Sequence, residues 1–168
     1  MGQLGLSLFF VGITLILNGA LKLSGVNSKS QAAMNVITGF VLVLSNFILL
    51  FRAGNDLMTF QNVTSGFLFG FTYLFIAANH IWSLDWRPFG WYSLCVAAYA
   101  SVMSVTAYSP QDLRLTLLWA AWAVLWLEGF LEIVLDVKPL SKIFPWLSIA
   151  EGLLATGIPG LLMLLDRW

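Results

Sequence analysis

Charge is scarce in this sequence. Eight Lys and Arg and eight Asp and Glu make up only 10% of its 168 residues, against about 25% in a soluble domain. The two signs cancel, so neither a basic surface for nucleic acid nor an acidic tail for a soluble partner is on offer. Cysteine occurs once, at Cys95, which excludes a disulfide within the chain. In its apolar run, Cys95 reads as packing. Histidine also occurs once, at His80, and one His with one Cys cannot make an ordinary zinc site. A GxSxG elbow, a glycine-rich phosphate loop and an intramembrane Asp pair are all missing. No catalytic residue, metal or cofactor is therefore expected, and an enzyme is the least favoured class.

What fills the chain instead is apolar. Hydrophobic residues account for 60% of it and the mean hydropathy is +0.88. Six apolar segments approach the ~20 residues that cross a bilayer: 4–22, 31–51, 63–83, 89–108, 114–135 and 145–165. Breakers or charges separate them at Ser24 to Ser30, Arg52 to Asp56, Asp85 to Pro88, Ser109 to Asp112 and Asp136 to Pro145. The first segment has no basic region before it and runs to about Leu21, so it reads as a span rather than a cleavable leader. Residue 6 is Leu, so Gly2 does not open a myristoylation motif. Lipid leaves no partner for free backbone groups, which predicts an all-α integral membrane bundle. It forms a single domain over 1–168. The short gaps predict antiparallel neighbours, hence three helix hairpins, whose first helices carry Asn18, Asn79 and Glu132 late in their spans. Gly66 and Gly70 predict a close helix approach.

Orientation follows from the cations. Lys22, Lys29, Arg87, Lys138 and Lys142 fall on one side, and Arg52, Arg114 and Arg167 on the other. That bias places both termini outside the cytoplasm of a multi-pass protein in the bacterial cell membrane.

The most informative stretch holds Trp119, Trp122 and Trp126, which share one helix face. Trp82, Trp86, Trp91, Trp146 and Trp168 lie near span ends, where Trp usually anchors at the interface. Trp126 does not: about twelve residues into its helix, it sits ~18 Å deep. Its indole N–H needs an acceptor there. Matching stripes occur at Leu4, Leu8, Val11, Leu15 and Asn18, and at Phe69 and Tyr73. Such stripes more often pack helices than line pores, but three Trp in the membrane interior favour a slot with flat aromatic walls. Planar, uncharged, hydrogen-bonding solutes suit it. Ions do not, because nothing replaces their hydration shell.

Glu151 lies about six residues into the last span, and a carboxyl group at that depth is a functional candidate. Its alternative is a structural hydrogen bond to another helix. Pro159 has no N–H for the carbonyl of Ala155, so that oxygen is left for a permeant, a hydroxyl or water. Glu128 and Glu132 are read as pairing between helices or between subunits. His80, beside Asn79 at a helix end, is read as a hydrogen bonder.

These residues carry a resemblance. Gly66-Phe-Leu-Phe69-Gly70-Phe71-Thr72-Tyr73-Leu74, Ala78-Asn79-His80, Leu84-Asp85-Trp86-Arg87-Pro88 and Trp91-Tyr92-Ser93-Leu94 are similar to the urea and short-chain amide channel family of the UreI/AmiS type. So are Trp119-xx-Trp122-xxx-Trp126-Leu127 and Pro145-Trp146-Leu147-xxx-Glu151-Gly152. The resemblance covers nearly the whole chain. It implies a homohexamer of six-helix protomers in membrane lipid, each with its own pore and with both termini outside. It also implies two constrictions. Leu8, Val11, Leu15, Trp119, Trp122 and Leu125 line the outer part, Asn18, Phe69, Tyr73, Trp126 and Leu127 the inner part, and Glu151 is the pore glutamate. The implied function is passive passage of urea to a cytoplasmic urease. The alternatives are a short-chain aliphatic amide channel such as one for acetamide, a proton-coupled transporter with Glu151 as carrier, and a scaffold without transport. Acid-gated members have long external loops rich in His. Here the external loops, 52–61 and 109–113, are short and lack His, which predicts a channel that is not acid-gated.

Overall fold

The computed structural model describes residues 2–108 and 112–168. Residues 109–111, most of the second expected external loop, lie outside them. The described chain is helical: α1 Gly2–Ser24, α2 Ser28–Arg52, α3 Leu57–Trp82, α4 Arg87–Ala107, α5 Leu113–Ile133 and α6 Leu140–Glu151. A π-helical segment, Gly152–Gly157, follows α6 and leads into α7, Ile158–Leu164. The last expected span is thus one helical rod broken in pitch.

Local chemistry sets the helix starts. Asn27, Asp56 and Asp112 each cap a helix by accepting a backbone N–H, from Lys29 at 2.8 Å, Thr59 at 2.9 Å and Leu115 at 3.0 Å. Pro88 stands in the first turn of α4, where its missing N–H costs nothing. Because Asp56 caps α3, that helix starts at Leu57. The loop expected over 52–61 shrinks to Ala53–Asp56.

Five spans are long and apolar enough to cross a membrane: α1, α2, α4, α5 and the rod Leu140–Leu164. At 26 residues, or about 39 Å, α3 is long enough. Gln61, Asn62, Ser65, Asn79 and His80 lower its hydropathy. Two of these, Ser65 and Asn79, are buried in the protomer. The outer surface is apolar instead: Phe40, Phe51, Val105 and Leu154 are exposed, while Thr14, Asn35, Thr38, Asn46 and Ser148 are buried. This reversal of the soluble pattern suits a lipid surround.

Helix pairing departs from the expected three hairpins. The most extensive packing joins α2 to α3, α4 to α5, and α1 to the rod of α6, the π-helical segment and α7, whereas α3 barely touches α4. The pairs are offset by one helix because close backbone approach, rather than loop length, selects partners. Gly5, Gly12 and Gly19 are buried on one face of α1, and a Cβ at Gly12 would fall 2.6 Å from the N and Cα of Gly157. Ser148 Oγ donates to the Leu15 carbonyl at 2.8 Å across the same interface. The expected approach at Gly66 and Gly70 is present, against Asn46 and Val43 of α2. Weaker α1–α2 packing is tied by polar pairs. Thr14 and Thr38 share a 2.7 Å hydroxyl contact, and Asn18 and Asn35 exchange amide hydrogen bonds of 3.0 and 2.8 Å.

Cys95 departs from its reading as packing. It is exposed on the outer face of α4, the side away from the protomer's core.

Candidate functional site

Phe69 of α3 is the centre of the site. Its ring centroid lies 6.1 Å from Trp119, 5.0 Å from Trp122 and 4.9 Å from Trp126. One turn of α5 separates successive Trp residues, so all three reach the same partner. Trp119 and Trp122 also meet edge to face at 4.9 Å, a favoured geometry for paired rings. All four rings are buried, while Trp82, Trp91 and Trp146, at span ends, are exposed.

Two cavities lie along this aromatic wall. A vestibule of about 600 Å³ opens at the end where α1, α3 and α5 begin, and is lined by Leu8, Val11, Phe69, Trp119 and Trp122 among others. A smaller chamber of about 70 Å³ follows, lined by Val11, Leu15, Asn18, Phe69, Tyr73, Trp122, Leu125 and Trp126, with further residues. Val11, Phe69 and Trp122 line both and form the waist between them. No Asp, Glu, Lys, Arg or His lines either cavity among the described residues.

Several placements differ from the expected ones. Leu15 and Leu125, expected together with Leu8 and Trp119, line the chamber and not the vestibule, and Phe69 lines both cavities. Leu127 lines neither and is 42% exposed. One residue beyond Trp126, it is turned about 100° around the helix, away from the rail. Glu151 is buried at the end of α6 but lines neither cavity. Its Oε2 is buried with no hydrogen-bond partner among the described residues.

Sequence reading missed the polar side of the cavities. Gln3, Asn46, Gln61, Asn62 and Ser65 line the vestibule. Gln3 Nε2 donates to the Ser45 carbonyl at 3.3 Å and to Asn46 Oδ1 at 3.4 Å, and Asn46 Nδ2 donates to the Leu42 carbonyl at 2.7 Å. In the chamber, Thr72, Ile76, Ser93 and Thr156 were missed. Ser65, Phe69, Thr72 and Ile76 recur at three and four along α3, a signal present in the sequence beside the Phe69–Tyr73 pair. Asn46 has no such signal.

The indole acceptor was expected at Trp126. The structure provides it at Trp122, whose Nε1 donates to the Ala155 carbonyl at 3.2 Å. That carbonyl is the one that Pro159 leaves free in an α-helical ladder, and here it serves an indole of the protein. Near the opposite ends of α1 and α5 Lys22 pairs with Glu132 at 3.0 Å and lies 4.5 Å from the centre of the Phe144 ring. Glu132 is thus paired between α1 and α5. Both oxygens of Glu128, one turn away, are buried without partners among the described residues. His80 packs edge to face on Trp86 at 5.0 Å, and its ring makes no hydrogen bond among the described residues. Asp85 accepts hydrogen bonds from Arg87, which hold its carboxyl at about 2.

The model of the AmiS/UreI family of transporters matches residues 3–167. The acid-activated urea channel of Helicobacter pylori is 37% identical over 195 aligned residues, which cover 99% of this chain and all of the relative. An amidate substrates transporter of Mycolicibacterium smegmatis, so described as putative by name, is 31% identical over 98% of this chain and 78% of its own length. The crystal structure of the Helicobacter pylori urea channel superposes with a TM-score of 0.90 at 39% identity, covering 98% of this chain and 99% of that one.

Proposed function

This chain belongs to the AmiS/UreI family of membrane transporters, whose members are channels and transporters rather than enzymes, and from that premise we propose that it is a passive urea channel. The observation that carries this reading is the waist. Val11, Phe69 and Trp122 join an open vestibule to a chamber of about 70 Å³, and among the described residues no ionisable group other than tyrosine lines either. Urea is flat and uncharged, and it can pass edge-first between ring faces. Asn18, Tyr73, Ser93 and Thr156 in the chamber supply hydrogen bonds that replace part of its water. A hydrated ion finds no such replacement. Weak, spread-out contacts let the solute leave again.

The pore-lining set is Leu8, Val11, Leu15, Asn18, Phe69, Tyr73, Trp119, Trp122, Leu125 and Trp126. Glu151, though outside both linings, takes part as a hydrogen-bond partner through the carboxyl oxygen that has no partner among the described residues. The vestibule and both termini face outward, as the cation bias favours, and the channel works as a homohexamer that supplies a cytoplasmic urease. It stays open at neutral pH, because the loop Ala53–Asp56 holds no His and little chain to move. A short-chain amide is the second reading, favoured by the name of the mycobacterial relative. Among the described residues the linings carry no carboxylate to shuttle a proton, which disfavours coupled transport.

Stopped-flow light scattering on proteoliposomes tests this. Urea is expected to enter much faster than into empty liposomes, with no effect of a protonophore. Acetamide faster than urea would move the assignment to amides. Proton-driven accumulation would overturn the channel, and equal rates with and without protein would leave a scaffold.

A further inference from the structure

The break in the last helix bears on the waist. Between Glu151 and Ile158 the helix widens to the π form over Gly152–Gly157. Such a widening leaves carbonyls off the regular ladder and is commonly found beside functional groups. Three features hold it in place. Thr156 Oγ1 donates to the carbonyls of Glu151 and Gly152, each at 3.0 Å. The backbone of α1 presses on the segment at Gly12, where no Cβ would fit. Pro159, just beyond, has no N–H to return to Ala155 in an α-helical ladder. Ala155 is buried, so its carbonyl needs a donor. The donor is the Trp122 indole, at 3.2 Å.

Trp122 is also one of the three side chains shared by vestibule and chamber. An indole in that place can narrow or clear the passage by turning about its two side-chain torsions. Its hydrogen bond to Ala155 is the one polar tether it has among the described residues, and Phe69 abuts its ring edge to face at 5.0 Å.

Resting on the channel reading above, we propose that Pro159 is a specificity-determining positioning residue. By withholding its N–H from Ala155 it reserves that carbonyl for Trp122, and so sets the aperture that urea must pass. Pro159 touches no solute. It stands one turn beyond Ala155 in the rod and acts through one backbone oxygen. The solute class excluded by the aperture is urea carrying an added alkyl group, such as N-methylurea.

The test compares urea with N-methylurea in proteoliposomes for the wild type, Pro159→Ala, Trp122→Phe and the double variant. Pro159→Ala restores an N–H that competes for Ala155. Trp122→Phe removes the indole donor and keeps an aromatic ring. Each is expected to lower the urea to N-methylurea flux ratio by roughly threefold to tenfold, the range a single hydrogen bond supports. The double variant is expected to fall no further than the lower single one, since both remove the same tether. Indole 15N–1H spectra of detergent-solubilised protein give a readout independent of flux. The Trp122 signal, identified by its loss in Trp122→Phe, is expected to exchange slowly with deuterium in the wild type and faster in Pro159→Ala. An unchanged flux ratio in Pro159→Ala, additive losses in the double variant, or rapid exchange of Trp122 in the wild type would each overturn the proposal. The wild-type spectrum decides even where Pro159→Ala does not fold. A wild type that passes no urea, with a slowly exchanging Trp122, would instead sink the channel reading and leave the tether standing.

Discussion

The ring of Phe69 stands 4.9 Å from that of Trp126, tilted by 59°, so the chamber is bounded by rings from two helices that are not neighbours in sequence. Both rings are buried and both line the chamber. Trp126→Ala removes a wall and is expected to lower discrimination between urea and larger solutes such as glycerol, while Tyr73→Ala, on the adjoining wall, has the same direction of effect. Cutting a buried aromatic to Ala also costs about 3–5 kcal/mol, so selectivity is read only on protein whose circular dichroism matches the wild type. Unchanged selectivity in such protein would assign both residues to packing.

Glu151 holds a buried carboxyl oxygen that has no hydrogen-bond partner among the described residues. Glu151→Gln keeps the shape and an acceptor and adds a donor, so at least half of the urea flux is expected to remain. Glu151→Leu keeps no hydrogen-bonding atom and is expected to lose tenfold or about 1.4 kcal/mol of barrier. Equal fluxes for the two variants would remove Glu151 from the path.

Urea flux is expected to be flat from external pH 5 to 7.5 at fixed internal pH. Asp56, in the loop at the vestibule end, accepts hydrogen bonds from the side chain and then the backbone of Thr59, and these hold its carboxyl below the usual range. A depressed pKa means the stabilising contact is complete above the unfolded value near 3.8 and is lost only as pH falls further. Asp85 behaves alike, with its window running from near 3.8 down to about 2. Neither titrates between pH 5 and 7.5. Flux that shuts off above pH 6 would contradict this and point to Glu151 or Glu128.

Gly12→Ala is expected to destabilise the protein sharply. A Cβ there meets backbone atoms of Gly157 and Gly152 at 2.6–2.7 Å, and backbone cannot step aside as a side-chain tip can. Overpacking of this kind costs about 1–3 kcal/mol or more. Gly2→Ala is the control, with nothing within 4 Å of its Cβ. Thermal aggregation of purified protein compares them, and equal midpoints would refute a tight α1 interface.

Composition and periodicity by themselves determined a great deal about this protein. A chain with 60% hydrophobic residues and breakers at regular gaps has to become membrane helices, because lipid offers backbone groups no other partner. Three- and four-residue spacing placed Trp119, Trp122 and Trp126 on one face, since helical pitch is local and nearly constant. Neighbours are another matter. They depend on surfaces that meet only after folding, such as Gly12 of α1 against Gly157, or Ser148 bonding to Leu15 across 133 positions. For that reason the pairing of helices came out one step away from the hairpins that loop length suggested. Which indole would find an acceptor was decided in the same way. Pro159 marks a free carbonyl in the sequence, but the widened turn Gly152–Gly157 and the approach of α5 decided that Trp122 would take it. Leu127, next to Trp126 in sequence, faces outward for the converse reason: one residue along a helix is a little more than a quarter turn around it, and only the assembled bundle says which side holds the cavities.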